Sequence, residues 1–260
     1  MTYEKILYSV TDNVACITLN DPATLNALSQ TMGRELQDAL NRGAQEARAI
    51  LLTGAGKAFS SGANLTSQDF DMADPQRDVG ALLEATFNAI TLKLKSSPVP
   101  VVSAVRGAAA GIGCAYALAA DIIIASENAY FLQAFCNVGL VPDGGATWLL
   151  AHAAGRARAM EMMLLGERIP ARQAHDWGLI NRVVADDALE DSAMAMACKL
   201  ATGPYALGLI RGLAWAAAES SIEASLLAER QAQCRAGRSE DFLEGVAAFL
   251  QKRPASFKGK

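Results

Sequence analysis

Two glycine-rich stretches and one aspartate are the parts of this sequence best suited to chemistry. The stretches are R-G-A-A-A-G-I-G-C-A-Y-A-L-A-A-D at 106–121 and G-A-G-K-A-F-S-S-G-A-N-L at 54–65. In each, an apolar run predicted to be a strand leads into small residues. Where such a turn opens a helix, free backbone N–H groups and the positive end of the helix dipole can hold an oxyanion or a phosphate. The sequence therefore predicts backbone donors for a negative charge on oxygen, including one from 61–63.

The aspartate is Asp143, within L-V-P-D-G-G. A proline before it and glycines after it predict a fixed turn that projects the carboxylate. In an apolar site lined by Phe135, Val141 and Trp148, the pKa of this carboxyl should rise. The alternative is structural: Asp143 would cap a helix that starts near Gly145.

Other reactive side chains form weaker patterns. His152 and His175 do not have the spacing of metal ligands. Ser60 or Ser61 with His152 would resemble a hydrolase pair, but nothing in the sequence supplies an orienting third group. Cys114 is better explained as a small buried filler. The sequence thus predicts no metal site.

Composition limits the class of protein. The chain has 260 residues, 52% hydrophobic and 19% charged, with a net charge of −4. Disorder is disfavoured by this composition, and nucleic-acid binding would need a basic face. The five cysteines are dispersed without a C-x-x-C pair, which favours reduced thiols and a cytoplasmic location. No signal peptide is expected at 1–10, and no apolar run has the length of a membrane span.

Alternating apolar patterns predict the elements that position these residues, in a mostly parallel sheet. Strands are predicted at 6–10 and 14–19 (a hairpin turning at 12–13), 49–53, 101–105, 122–125, 130–132 and 180–184. Helices are predicted at 28–47 with Ser29 as N-cap, 79–95, 157–165, 171–177, 187–202, 205–219, 222–234 and 239–251. A tight bend is expected at 107–110, followed by an apolar helix, and a mobile loop at 67–78.

Taken in order, these stretches resemble the crotonase (enoyl-CoA hydratase/isomerase) superfamily. The resemblance also includes D-P-A-T-L-N-A-L at 21–28, F-L-Q-A-F-C-N-V-G-L-V-P-D-G-G-A-T-W at 131–148 and E-D-F-L-E-G-V-A-A-F-L-Q-K-R at 240–253. It implies an α/β fold, a spiral of β-β-α units with a C-terminal helical trimerisation region. The acyl-CoA-binding core would span 1–200 and the helical region 201–260, in a homotrimer or hexamer.

The resemblance also implies roles for individual residues. The backbone N–H groups of Ala63 and Ile112 would bind the thioester oxygen of an acyl-CoA. Typical hydratases carry two glutamates, but this chain has Ala115 and Phe135 at those positions. Because hydration needs one group to activate water and another to protonate carbon, this argues against ordinary hydratase activity. Substrate contacts are implied for Leu25, Ala27, Ser61, Gly62, Leu65, Gly111, Phe135 and Trp148.

Within the superfamily, the pattern is most similar to the epoxyphenylacetyl-CoA isomerase branch. That branch turns the ring epoxide into an oxepin in phenylacetate degradation and also moves 3-enoyl-CoA double bonds to the 2-position. Asp143 would be the acid/base, the CoA thioester would be substrate, and no cofactor would be permanently bound. Lys57 and the basic C-terminus would meet the CoA phosphates, the C-terminus from a neighbouring subunit.

Two alternatives remain open. A dehalogenase or hydrolase would use Asp143 as a nucleophile, but that branch carries tryptophan where this chain has Phe135. The chain could also be a non-catalytic acyl-CoA binder. The sequence does not specify the acyl group.

Overall fold

A mostly parallel β-sheet forms the centre of the structure, a computed structural model that describes residues 3–64 and 73–260. In chain order the strands are β1 (Ile6–Thr11), β2 (Val14–Leu19), β3 (Ala49–Gly54), β4 (Val101–Val105), β5 (Ala108–Ala110), β6 (Ile122–Ser126), β7 (Tyr130–Leu132), β8 (Ile169–Pro170) and β9 (Arg182–Val184). The main sheet has the order β1-β2-β3-β4-β6-β9. Its first pair is antiparallel and the other neighbours are parallel, which confirms the predicted hairpin and sheet type.

A small second sheet, ordered β5-β7-β8, lies next to the main one. The tight bend predicted at 107–110 is wrong, because Ala108–Ala110 is a strand. It pairs with β7 on one side and forms a bridge to Ser60 on the other. The bending occurs at the flanking Gly107 and Gly111, whose φ angles are +55° and +52°. Strand pairing with distant segments thus straightened the small residues between the glycines.

The helices, in chain order, are α1 (Gln30–Glu46), α2 (Asn88–Ser96), α3 (Ile112–Leu118), α4 (Ala146–Leu165), α5 (Ala171–Asp176), α6 (Leu189–Ala201), α7 (Ala206–Ala217), α8 (Ile222–Ala236) and α9 (Glu240–Gln251). Ser29 caps α1 as predicted, its side chain accepting a hydrogen bond from the N–H of Met32. Helix α4 begins well before the predicted residue 157 and is kinked at Gly155.

Side-chain alternation along the central strands places helices on both faces of the main sheet. On β3, Ile50 and Leu52 belong to the larger hydrophobic cluster with α1 and α3. Leu51 points to the opposite face, where it packs in a cluster with Leu189 and Ala193 of α6. Burial on both faces explains why these strands are continuously apolar.

The helix predicted at 79–95 contains a change of helix type. A π-helical turn spans Leu83–Phe87 and passes directly into α2. Two side chains reach carbonyls in this turn: Gln37 Nε2 donates to Thr86 O at 2.9 Å, and the Tyr116 hydroxyl donates to Phe87 O at 3.1 Å. These bonds link the turn to α1 and α3.

Among the described residues, no single helix is both long and apolar enough to cross a membrane. Two consecutive helical segments, Asp186–Ala201 and Ala206–Ala217, are together long and apolar enough, but they are bent by 106° relative to each other.

The division of the chain into a core of 1–200 and a helical region of 201–260 stays a prediction.

Candidate active site

Two loops, one following β3 and one following β5, meet backbone to backbone. Ser60 N donates to Ala108 O at 3.0 Å and Ala110 N donates to Ser60 O at 2.9 Å. Beyond this bridge, a Cβ atom built on Gly62 would lie 2.9 Å from the carbonyl oxygen of Ala110. Since the φ angle of Gly62 is +97°, both its conformation and its surroundings require glycine. The structure therefore brings the two sequence-predicted loops together.

The backbone N–H groups of Ala63 and Ile112 lie next to the place where the two loops meet. Leu28 bonds to the residues on either side of Ala63, through Leu28 N to Gly62 O at 2.8 Å and Asn64 N to Leu28 O at 3.1 Å. Ile112 is the first residue of α3, where a helical N–H has no intrahelical acceptor. Within the described part of the chain, neither N–H has a hydrogen-bond acceptor. Two such donors are the components of an oxyanion hole.

Two buried polar residues hold the first loop in place, a role that the sequence did not predict for either of them. Asn26 donates to the carbonyls of Ala55 and Ala58 at 2.9 and 2.8 Å, and its Oδ1 accepts from the N–H of Asp21 at 2.9 Å. The Ser60 hydroxyl donates to Asn26 O at 2.8 Å. The sequence signal was an asparagine and a serine inside otherwise apolar or glycine-rich motifs.

The Ser60 hydroxyl also accepts a hydrogen bond from Gly62 N at 3.2 Å, so it stabilises the backbone of the loop. The hydrolase pair with His152 is not formed. His152 instead stacks on Trp148, with ring centroids 3.9 Å apart, and its Nδ1 lies 2.8 Å from Trp148 O.

Asp143 lies in the turn that precedes α4, beside the start of α3. A Cβ built on Gly144 would lie 2.6 Å from Ile112 Cγ1 and 3.2 Å from Ala115 Cβ, which shows how closely the turn approaches α3. The Oδ1 atom of Asp143 is buried without a hydrogen-bond partner among the described residues. Burial raises the pKa of this carboxyl from 3.8 to about 6, in the predicted direction.

The capping alternative for Asp143 is not supported. The N-cap of α4 is Gly145, and no side chain makes a capping hydrogen bond there. Asp143 contributes only its backbone carbonyl, which accepts from Ala146 N at 3.0 Å. The carboxyl is therefore free for another role.

The other predicted contact residues are placed as follows. The Phe135 ring lies next to Gly111, 3.5 Å from a Cβ built there. Leu25 is partly exposed, and its carbonyl accepts from Ser61 N at 2.9 Å, while Ala27 is buried beside it.

Trp148, Val141 and Leu65 are the remaining residues of the predicted site. Trp148 stacks on Trp215 with centroids 5.8 Å apart, and no described contact joins it to the two loops. Val141 is 80% exposed in the single chain, and its place in the lining of the site stays a prediction. Leu65 and residues 67–72 of the loop predicted at 67–78 lie outside the described residues.

One buried thiol and two basic residues of the C-terminus have surroundings that favour structural roles. Cys114 is fully buried, which raises the pKa of its thiol to about 12, as befits a packing residue. Arg253 pairs with Glu244 at 2.6 Å and Lys260 with Glu240 at 3.5 Å. In the described ranges no group of three His, Cys, Asp or Glu side chains could hold a metal.

The chain is similar to known proteins over nearly its whole length. The family model described as Enoyl-CoA hydratase/isomerase matches residues 9–260. The chain is 44% identical to 1,2-epoxyphenylacetyl-CoA isomerase of Escherichia coli (strain K12), covering 99% of both chains. It is 34% identical to 2,3-dehydroadipyl-CoA hydratase of the same organism, covering 98% of this chain and 99% of the relative.

A solved structure shows the same fold. The crystal structure of enoyl-CoA hydratase from Bacillus anthracis superposes with a TM-score of 0.92 at 31% identity, covering 99% of this chain and 100% of the other. The α/β architecture with its C-terminal helices is thus the one that the resemblance implied. The chain belongs to the enoyl-CoA hydratase/isomerase family, that is, to the crotonases.

Proposed function

We propose that the chain is an acyl-CoA isomerase that uses an oxyanion hole and one aspartate. The N–H groups of Ala63 and Ile112 hold the thioester oxygen of the substrate, and Asp143 moves the proton. The observation that carries this proposal is the Oδ1 atom of Asp143, which is buried beside the first residue of α3 and has no hydrogen-bond partner among the described residues. A carboxyl with a pKa near 6 can both take up and return a proton near neutral pH.

For a 3-enoyl-CoA the steps balance without a further reactant. The Asp143 carboxylate removes a proton from C2, and the electrons move into a dienolate. The oxygen of this dienolate accepts hydrogen bonds from both backbone N–H groups. The protonated carboxyl then returns the proton to C4, which leaves the double bond at C2. One oxyanion donor of this kind typically contributes about 3–4 kcal/mol to transition-state stabilisation.

The same device suits the ring epoxide of an epoxyphenylacetyl-CoA, where Asp143 would guide a proton during conversion to the oxepin. The similarity to the E. coli isomerase favours this substrate. Ordinary hydration is disfavoured because Ala115 and Phe135 offer no second carboxylate to activate water. Leu25, Ala27, Ser61, Gly62, Leu65, Gly111, Phe135 and Trp148 are the proposed substrate contacts.

The proposed setting is a cytoplasmic homotrimer or hexamer. Each of the five cysteines is a free thiol, as a reducing compartment would maintain. On α9, Leu243, Phe249 and Leu250 are 67%, 82% and 74% exposed in the single chain. An apolar surface of this kind favours burial against another copy.

The decisive experiment compares three substrates on the purified chain: a 3-enoyl-CoA, epoxyphenylacetyl-CoA and a 2-enoyl-CoA with water as the second reactant. We expect turnover of at least one of the first two and negligible hydration of the third. A covalent adduct on Asp143 detected by mass spectrometry would instead favour a hydrolase or dehalogenase. Tight binding of the thioesters without turnover would favour a non-catalytic binder.

A further inference from the structure

Few side-chain hydrogen bonds among the described residues hold the turn that carries Asp143. Gly144 and Gly145 both have φ angles in the left-handed region, +60° and +84°. The buried Oδ1 of Asp143 itself has no hydrogen-bond partner among the described residues. The position of the carboxyl must therefore be set by whatever holds the backbone of the turn.

Thr91 on α2 supplies such a hold. Its hydroxyl donates to the carbonyl oxygen of Gly144 at 2.8 Å. Its methyl group lies 3.1 Å from a Cβ built on Gly145, so it packs against the next residue as well. Within 3–64 and 73–260, no other side chain donates a hydrogen bond to the backbone of 139–145.

Helix α2 is in turn fixed relative to α3. The Tyr116 hydroxyl donates to Phe87 O at 3.1 Å, at the point where the π-helical turn passes into α2. Tyr116 is four residues after Ile112, so both lie on the same side of α3. Thr91, on α2, is likewise one turn after Phe87, the last residue of the π-helical turn. A continuous path of contacts therefore joins the Ile112 amide to the Asp143 turn through α2.

We propose that Thr91 is a positioning residue for Asp143, holding its carboxyl at a fixed distance from the oxyanion donors. The inference rests on the proposed isomerase function. Thr91 does not touch the reacting atoms and acts through the Gly144 carbonyl. A displacement of about 1 Å in a catalytic group can cost about 100-fold in rate, so a single hydrogen bond in the support can matter.

Thr91→Val and Thr91→Ser separate the hydroxyl from the methyl group. Valine has nearly the same shape but cannot donate, whereas serine keeps the donor and loses the methyl. We expect Thr91→Val to lower kcat about 10- to 100-fold with KM changed less than about twofold. Thr91→Ser should restore most of kcat. Thr53→Val is the matched control, because it removes another partly buried bond from a threonine hydroxyl to a carbonyl, to Ala104 O at 3.1 Å.

The double variant Thr91→Val/Asp143→Asn tests whether Thr91 acts through Asp143. If it does, the valine substitution should have no further effect on the residual rate of Asp143→Asn. The proposal would be overturned in favour of a general structural role by either of two outcomes. In the first, Thr91→Val lowers kcat equally in the parent and in Asp143→Asn. In the second, Thr91→Val and Thr91→Ser lower kcat equally and the melting temperature falls in parallel.

Failure of this inference is distinct from failure of the proposed function. A parent chain that turns over no isomerase substrate, or an Asp143→Asn variant at the parent rate, would refute the function. The positioning role of Thr91 would be refuted, and the proposed function kept, if Asp143→Asn is inactive while Thr91→Val keeps the parental kcat.

Discussion

Replacement of Asp143 by asparagine should lower activity and raise stability together. Asparagine keeps the shape of the side chain but can neither accept nor return a proton. Loss of a general acid–base group typically costs about 10²–10⁴ in rate. Binding of the CoA ester should survive, because the substitution leaves the proposed backbone donors intact. The expected loss is therefore in kcat rather than in KM.

The gain in stability follows from the pKa of Asp143. Burial raises it from 3.8 to about 6, so the folded state binds the proton more tightly than the unfolded state. The free energy of unfolding consequently falls as the pH rises from about 4 through 6 and stays lower above that. At about 1.4 kcal/mol per pKa unit the penalty at neutral pH is at most about 3 kcal/mol, and partial exposure reduces it to about 1–2 kcal/mol.

The assay measures thermal unfolding and isomerisation of parent and variant at about pH 4 and about pH 8, on either side of the pKa interval. The melting temperature of Asp143→Asn should exceed that of the parent at the higher pH, and the difference should vanish at the lower one. Asp176→Asn, at a side chain 70% exposed, is the control and should change neither quantity. An Asp143→Asn variant that isomerises at the parent rate, or that unfolds at a lower temperature than the parent at the higher pH, would refute the reasoning.

Four further outcomes are expected. Since the base acts as a carboxylate, kcat/KM should rise with pH around an apparent pKa near 6; a midpoint near 4 would contradict the assigned base. Gly62→Ala should sharply reduce turnover, whereas Gly155→Ala, also at a positive φ of +77° but without a neighbour within 4 Å, should keep it. Asn26→Ala should lower the free energy of unfolding by about 2–4 kcal/mol in urea titration, and the exposed Asn41→Ala by far less. Analytical ultracentrifugation should show a trimer or hexamer that Phe249→Asp weakens; a monomer at micromolar concentration would exclude this assembly.

Local patterns in the sequence were sufficient for most of the elements. Two alternating runs around residues 12–13 were enough to predict the hairpin. Both turn residues have positive φ angles, 51° and 60°. The start of α1 needed only Ser29 at the correct distance from an apolar stripe. Such features were predictable because their determining interactions span a few residues. The two loops that present Ala63 and Ile112 were also found, through their glycines and the family resemblance.

Tertiary contacts decided the remaining features. Ala108–Ala110 became a strand because β7 and Ser60 lie on either side of it, and neither is near in sequence. The π-helical turn likewise receives hydrogen bonds from residues on α1 and α3, as no periodicity within 79–95 could indicate.

The chemistry of Asp143 shows the same division. In the sequence it is an aspartate in a proline–glycine turn, which is compatible with a cap or with catalysis. The fold buries its Oδ1 without a partner among the described residues, assigns the cap position to Gly145 and ties the turn to Thr91, 53 residues before Gly144 in the chain. The pKa of a carboxyl depends on the water and charges that the whole fold leaves around it. The sequence therefore determined which group could act, and only the tertiary structure decided its environment.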